Sequence, residues 1–345
     1  MLYVTTRVSQ DAFTSHRALT ENRCPEGGFF VPVHLPHFDQ TQISELSDKT
    51  FSQNLARVLN LFFGTNLDGR ELEFGIGRYP VKPFSLNRRI TVAELWHNPA
   101  YRFERLVQGV ERTIRQTDQI SDAPSDWLQI ASRIGVLFGL YGQFLHAHVL
   151  ETVQPVDLAL PSANMSSVMS AWYARSMGLP IGNIIICCNE NSGLWNLFHK
   201  GELRTDMPAV HTHTSRCDHT VPDGLERLIF ASLGRRETER FCDISRTGGI
   251  YTLDAEQMNR LRDGICIRVV GGKRMASTIP NLYKTTGYVA DPYTALAYSG
   301  LIDHRAAGGE NRHALILAEE SPRFSLDLIA ACMNISAAEV KLLLK

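Results

Sequence analysis

The chain of 345 residues lacks a strong net charge and lacks any long hydrophobic run. Its 35 basic and 36 acidic side chains give a formal net charge of −1, which argues against nucleic-acid binding and against a membrane-surface protein. No apolar stretch approaches the roughly 20 residues of a membrane-spanning helix. The first residues lack the basic and apolar blocks of a secretion signal. We therefore expect a cytoplasmic protein that binds neither nucleic acid nor a membrane.

The seven cysteines follow no disulfide-framework spacing. Cys187 and Cys188 are adjacent within an apolar segment, which favours buried thiols. We expect reduced and mostly buried cysteines. The 44% hydrophobic and 21% charged content is ordinary for a globular chain with two or three packed subdomains.

The clearest structural pattern lies between residues 156 and 188. An apolar run over 156–160 is followed by a Ser/Asn-rich loop over 161–167, a helical pattern that continues to Met177, and a second apolar run over 184–188. A strand, a helix and a strand in so short a segment predict a βαβ unit with parallel strands. Ligands bind such sheets beyond the carboxyl ends of the strands.

Hydrophobic periodicity predicts further elements. Residues 54–63 have the pattern of an amphipathic helix, and residues 128–150 have that of a buried helix. Asp291 followed by Pro292 is typical of a helix N-cap and first helical residue. The remaining predicted elements are helices over 224–233, 255–262 and 336–344 and a strand over 314–317.

Sequence blocks with a distinctive composition occur in a fixed order along nearly the whole chain. They cover residues 3–7, 27–32, 94–105, 161–180, 189–191, 287–295 and 318–324. Together they resemble the threonine synthase family, with its motifs Y-x-S-T-R, E-L-F-H-G-P-T-x-x-F-K-D, P-S-G-N-F-G-N, D-P-H-T-A and T-A-H-P-A-K-F. The resemblance implies an α/β fold like that of the tryptophan synthase β-subunit, a type II pyridoxal phosphate (PLP) enzyme, with a partly parallel sheet.

The departures from the family pattern fall on the positions that serve PLP. Glu104 stands where the family has the lysine that forms the Schiff base, and a carboxylate cannot form an imine. Ala163 and Ser166 replace the two glycines that allow backbone N–H groups to approach the cofactor phosphate. Glu319 and Glu320 lie in the block that reaches the pyridine ring. These changes predict that the chain carries no cofactor.

The family's S-G-D-T-G loop is absent, and the chain between residues 105 and 132 is too short for the family's small α/β lobe. We therefore expect that the small cofactor lobe is largely deleted. The predicted divisions are a threonine synthase-like segment over 1–105, a helical remnant of the small lobe over 106–150, and a main α/β domain over 151–345.

Three functional hypotheses follow from this pattern. The first is a pseudoenzyme that binds an amino-acid-like molecule, an anion or a protein partner, including a second copy of itself. The second is a PLP-independent enzyme, rebuilt around Glu104, that acts on a phosphorylated or hydroxy amino acid. The third is a lyase that still uses PLP. The candidate catalytic residues are Glu104, Arg105 and His97, and the candidate ligand-binding residues are Ser162, Asn164, Ser166, Ser167, Glu319 and Ser321.

Two other patterns have less specific spacing. His211, His213 and His219 match no zinc motif, so we expect no metal there. The segment 271–274 (Gly-Gly-Lys-Arg) lacks the spacing of a phosphate-binding loop and is interpreted as a turn. The seven lysines include none that the sequence pattern places near the βαβ loop.

Overall fold

The structure, a computed structural model, describes residues 1–7, 12–24, 27–76, 81–97, 103–118, 125–151 and 153–344. Its strands are β1 (Leu2–Thr5), β2 (Phe13–Thr14), β3 (Phe30–Pro32), β4 (Lys82–Asn87), β5 (Ile90–Glu94), β6 (Val156–Pro161), β7 (Ile181–Cys188), β8 (Glu202–Arg204), β9 (Ile250–Thr252), β10 (Ile265–Val269) and β11 (Ala314–Ala318). Its helices are α1 (Ser15–Thr20), α2 (Gln40–Ser44), α3 (Phe51–Phe63), α4 (Gly69–Ile76), α5 (Phe103–Asp118), α6 (Asp126–His146), α7 (Met165–Ser176), α8 (Gly193–Lys200), α9 (Leu225–Leu233), α10 (Arg235–Thr247), α11 (Ala255–Leu261), α12 (Gly272–Thr286), α13 (Pro292–Ala306), α14 (Leu326–Met333) and α15 (Ala337–Leu343).

A six-stranded sheet with the order β10-β7-β6-β11-β5-β4 lies at the centre of the fold. All neighbouring pairs are parallel except β4 and β5, which are antiparallel. The adjacent parallel strands β6 and β7, joined by α7, confirm the predicted βαβ unit. The carboxyl ends of the five parallel strands meet at one edge of the sheet, and the first residue of β4, Lys82, lies at the same edge because β4 runs the opposite way.

Helices cover both faces of this sheet, which explains why its strands are apolar on both sides. Leu158 and Leu160 pack into one core with α3, α6 and α7, whereas Ala159 packs into a second core with α12, α13 and α14. The alternation follows from the two-residue period of a strand. The chain is therefore a three-layer α/β/α structure with two hydrophobic cores.

The predicted buried helix over 128–150 is confirmed as α6, although the helix ends at His146. It ends there because His148 has a φ of 52°, which a continuing helix does not allow. Three glycines of α6 allow α3 and the turn before it to approach closely, since a Cβ on Gly142 would crowd the side-chain amide of Asn54 in α3 and lie 2.5 Å from the carbonyl oxygen of Leu46 in that turn. Within the described ranges, no helix is both long and apolar enough to cross a bilayer.

The described residues between β5 and β6 form two helices, α5 and α6, and no strand. The predicted helical remnant over 106–150 stays a prediction. The central sheet takes two strands from residues 1–105 and four from residues 151–345. The predicted three-way division therefore refers to segments of the sequence and stays a prediction.

Most other predicted elements are confirmed within a few residues, as α3, α9, α11, α13, α15 and β11. The interpretation of 271–274 as a turn is wrong, because Gly272 begins the 15-residue helix α12. The carboxylate of Glu190 accepts a hydrogen bond from the Gly272 N–H at 2.6 Å, so this helix terminus already has an anionic partner. All seven cysteines are free, and four of them, Cys24, Cys187, Cys188 and Cys217, are buried.

Candidate functional site

A cluster of charged side chains lies at the carboxyl edge of the sheet, on the face covered by α6 and α7. Glu104 lies in the first turn of α5, and its Oε1 is 3.8 Å from Nη1 of Arg216. The side chain of Glu104 is 37% exposed, so solvent reaches it. Glu104, which the sequence resemblance aligns with the family's lysine, is therefore part of this edge and pairs with an arginine.

Glu319 is the buried centre of this cluster. It directly follows β11, and its Oε1 accepts a hydrogen bond from Ser167 Oγ at 2.5 Å. Its backbone carbonyl accepts a bond from the N–H of Phe103 at 2.8 Å, which fixes the start of α5 beside β11. The loop before α7, the end of β11 and the start of α5 thus meet at a single carboxylate.

The electrostatic environment of Glu319 opposes its charge. Burial raises the pKa of the Glu319 carboxyl, and the nearby Glu104 carboxylate raises it further, while Arg133, Ser167 and Arg216 act in the opposite direction. Arg133 is itself buried in α6, with its guanidinium 5.4 Å from the ring centre of Phe103. Two neighbouring carboxylates can share a proton when one of them has a raised pKa. Such a pair is a basis for acid–base chemistry.

Arg216 joins the cluster from the loop after β8, and the sequence did not identify it as a site residue. Its Nη2 lies 3.2 Å from Oε2 of Glu320, and its guanidinium stacks over the Tyr293 ring at 4.4 Å. Burial alone would lower the pKa of the Arg216 guanidinium, but Glu320 and Tyr293 raise it overall. Glu320 and Tyr293, the two contacts of Arg216, lie in sequence blocks that resemble the family. Those blocks were the one signal in the sequence that pointed to this part of the cluster.

The loop over 162–167 mainly caps α7. Asn164 is the N-cap, and its Oδ1 accepts from the Ser166 N–H at 2.9 Å. The carbonyl of buried Ser162 lies 2.9 Å from Nε2 of His219. Of the candidate residues in this loop, only Ser167 reaches the cluster through a side-chain hydrogen bond in the described part of the chain.

Three of the candidate residues are not part of the charged cluster around Glu104. Arg105 is exposed and its Nη1 donates to Gln108 Oε1 at 3.3 Å along the surface of α5. His97 and Ser321 line a separate cavity on the opposite face of the sheet. The sequence placed all three in one site because they are near Glu104 or Glu319 along the chain.

The loop that carries His211 and His213 is organised by hydrogen bonds. The amide of Asn189 donates to Asp218 Oδ1 at 2.7 Å and to Thr212 Oγ1 at 2.8 Å. Both His211 and His213 are exposed. Among the residues with described positions, no group of three or more His, Cys, Asp and Glu side chains is arranged to hold a metal ion.

Comparisons of sequence show which proteins the chain resembles. A family model described as the threonine synthase N terminus matches residues 2–78. A threonine synthase of Methylobacillus glycogenes is 26% identical over 189 residues, an alignment that covers 53% of this chain and 39% of the relative. Threonine synthase-like 1 of Homo sapiens is 27% identical over 148 residues, covering 41% of this chain and 20% of the relative. The alignments thus span less than half of either relative.

The fold leads to the same group of proteins. The structure of a PLP-bound threonine synthase from Brucella melitensis superposes with a TM-score of 0.85 at 17% identity, over 97% of this chain and 92% of the other. At this identity the likeness shows the fold, which is the type II PLP fold of threonine synthase. By its N-terminal match, its relatives and its fold, the chain is similar to threonine synthases and shares their type II PLP fold.

Proposed function

We propose that this protein is a threonine synthase-like pseudoenzyme that neither holds PLP nor releases threonine from O-phosphohomoserine. The observation that carries the proposal is the 2.5 Å hydrogen bond from Ser167 to Glu319, beside Glu104, which the sequence resemblance aligns with the family's lysine. The Ser167 hydroxyl, which could otherwise donate a hydrogen bond to a phosphate, is thereby bound to a carboxylate of the protein itself.

The residues of the cluster do not fit PLP. The coenzyme supplies an electrophilic aldehyde that needs an amine, and its phosphate is a dianion that needs unengaged donors. Here the cluster presents three carboxylates, those of Glu104, Glu319 and Glu320, against the cations Arg133 and Arg216. A phosphate beside Glu319 would meet like charge in a buried place.

The same charges support a ligand that carries an amine. An ammonium group near Glu104 and Glu319 would compensate the excess of negative charge, and a carboxylate on the same ligand has Arg216 within the cluster. These groups favour a small amino-acid-like molecule without a phosphate. L-homoserine is the simplest probe of this kind.

A second candidate is a PLP-independent enzyme that uses Glu319 and Glu104 as an acid–base pair. The observation in its favour is the raised pKa of Glu319 beside a second carboxylate, a pattern that separates an acid from a base. In this case a hydroxy or phosphorylated amino acid would be consumed rather than only bound.

The first experiment tests cofactor use. Purified protein is mixed with PLP, scanned for a visible-region imine band, reduced with borohydride and mapped by peptide mass spectrometry. We expect no band, no modified lysine and no threonine from O-phosphohomoserine. The double variant Glu104→Lys/Glu319→Ala restores the amine and removes the buried carboxylate, and it should gain a reducible band. A modified lysine in the wild-type protein, at Lys82 for example, would overturn the proposal.

The second experiment separates binding from catalysis. Calorimetry measures binding of L-homoserine and O-phospho-L-homoserine, and NMR follows both compounds over time in the presence of the protein. A binding protein should take L-homoserine at least about tenfold more tightly than its phosphate ester, a difference of about 1.4 kcal/mol, without consuming either. Consumption that is lost in Glu104→Gln and Glu319→Gln would establish the enzyme instead. Equal binding of both compounds would contradict the proposed site.

A further inference from the structure

A second cavity lies at the carboxyl edge of the sheet, on the face opposite the Glu104 cluster. Its volume is about 410 Å³, which is in the range of small-molecule pockets. The side chain of Glu94 points to this face of the sheet. Ile90, Val92 and Glu94 are spaced two residues apart in β5 and so share one face, and Ile90 and Val92 pack into the core formed with α12–α14. Lys82 is the partner of Glu94 across the antiparallel pair, so both side chains share that face.

The carboxylate of Glu94 is the buried charge of this cavity. Its residue is 7% exposed, and burial raises the pKa of the carboxyl while Lys82 lowers it. The Tyr288 hydroxyl lies beside it, and burial together with Glu94 raises the pKa of that hydroxyl. A buried carboxylate gains stability from any additional cation that can reach it.

Two cationic side chains line the same cavity, Lys82 and Arg323. Arg323 is held in place because its Nη2 donates to the Leu344 carbonyl at 2.9 Å. Burial and Lys82 both lower the pKa of His97, so this imidazole adds no positive charge at neutral pH. The cavity therefore places two cations and one anion around a common space.

The remaining wall is apolar and aromatic. The rings of Phe84 and Tyr288 pack with centres 4.7 Å apart, and Trp96, Leu343 and Leu344 complete the wall. Aromatic walls with a few convergent polar groups are typical of sites for small organic ligands. The ligand must therefore combine charged ends with an apolar body.

We propose that this cavity binds an α-amino acid with an apolar side chain. The carboxylate of the ligand pairs with Lys82 and Arg323, its ammonium group with Glu94, and its side chain packs against Trp96 and Leu344. No bond forms or breaks in this association. The site is independent of the Glu104 cluster, because the sheet separates the two.

Three matched probes test the charge assignment: L-phenylalanine, 3-phenylpropanoate, which lacks the ammonium, and 2-phenylethylamine, which lacks the carboxylate. Calorimetry should show L-phenylalanine binding at least about tenfold more tightly than either analogue. Glu94→Gln should weaken binding of L-phenylalanine and should not weaken binding of 3-phenylpropanoate, which has no ammonium group to lose its partner. Lys82→Met should weaken binding of L-phenylalanine and should not weaken binding of 2-phenylethylamine, which has no carboxylate to lose its partner. Circular dichroism and thermal unfolding confirm that both variants are folded.

The variant Glu104→Gln distinguishes this inference from the proposed function. It changes the Glu104 cluster on the other face of the sheet and should not alter L-phenylalanine binding. Binding that is lost in Glu104→Gln but retained in Glu94→Gln would place the ligand on the other face and overturn this inference. Failure of all three probes to bind at millimolar concentration would overturn it as well, whether or not the protein binds L-homoserine.

Discussion

Glu319 connects three parts of the candidate site through one side chain and one backbone carbonyl. Ser167 donates to its carboxylate, Phe103 donates to its backbone oxygen, and Glu104 raises the pKa of its carboxyl. A charged group that is buried in this way costs stability at neutral pH, and proteins keep such groups most often where they serve a function.

The raised pKa of Glu319 makes a prediction with a definite sign. Because the folded state binds the proton more tightly than the unfolded state, this carboxyl favours folding at low pH, and that contribution is lost as pH rises through the folded pKa. Glu319→Gln imitates the protonated form and keeps an oxygen for Ser167. Thermal unfolding should give the variant a higher midpoint than wild type at pH 7, with the gap closing toward about pH 4, the pKa of an unfolded glutamate.

Glu339 provides a control of opposite sign. Its hydrogen bond with Ser336 lowers the pKa of the Glu339 carboxyl, so Glu339→Gln should lower the midpoint at pH 7 and not raise it. A higher midpoint for both variants would mean that general charge reduction, rather than burial of Glu319, explains the result.

At the scale of elements, the close packing of α6 against α3 covers one face of the sheet. The Cβ of an alanine at Gly142 would lie 2.5 Å from the backbone oxygen of Leu46, which cannot rotate away. At Gly135 the nearest atom is the flexible Cδ1 of Leu55, and the nearest backbone oxygen is 3.3 Å away. The two glycines lie on one helix and differ in what surrounds them.

We therefore expect Gly142→Ala to destabilise the protein by about 1–3 kcal/mol, the usual cost of overpacking a core. Gly135→Ala should cost less than about 1 kcal/mol, because the gain in helix propensity offsets a small side-chain shift. Urea denaturation of both variants measures the difference. Equal losses would show that α6 and α3 move apart as easily at one position as at the other.

At the scale of the whole molecule, the central sheet unites the beginning and the end of the chain. Strands β4 and β5 come from residues 1–105, yet β5 pairs with β11 through the register Ala314–Ile90 to Ala318–Glu94. Helices α3 and α6 cover the same face of the sheet as α7. Residues 151–345 alone would expose that face and the edge of β11.

We expect a fragment of residues 151–345 to lack a cooperative unfolding transition and to bind a hydrophobic dye, because its first core is incomplete. Circular dichroism during heating and dye fluorescence measure both properties, with the full chain as control. A fragment that unfolds cooperatively would support the three-way division of the sequence instead.

Local patterns in the sequence determined much of the fold. The apolar runs of β6 and β7, the cap at Asp291 and the helical spacing over 54–63 each depend on neighbours in the chain, and each is confirmed. The ordered blocks added the resemblance to threonine synthase and the fold that it implies. They also aligned Glu104 with the Schiff-base lysine of the family that the chain resembles, and the loss of that lysine stays a prediction.

Only the tertiary structure decided which side chains meet. Arg216 joins Glu104 across more than a hundred residues, and Lys82 reaches the functional edge solely because β4 is antiparallel. His97 lies near Glu104 in the chain but lies on the other face of the sheet. Pairing of distant strands and packing of loops set these positions, and neither leaves a periodic signal in the sequence.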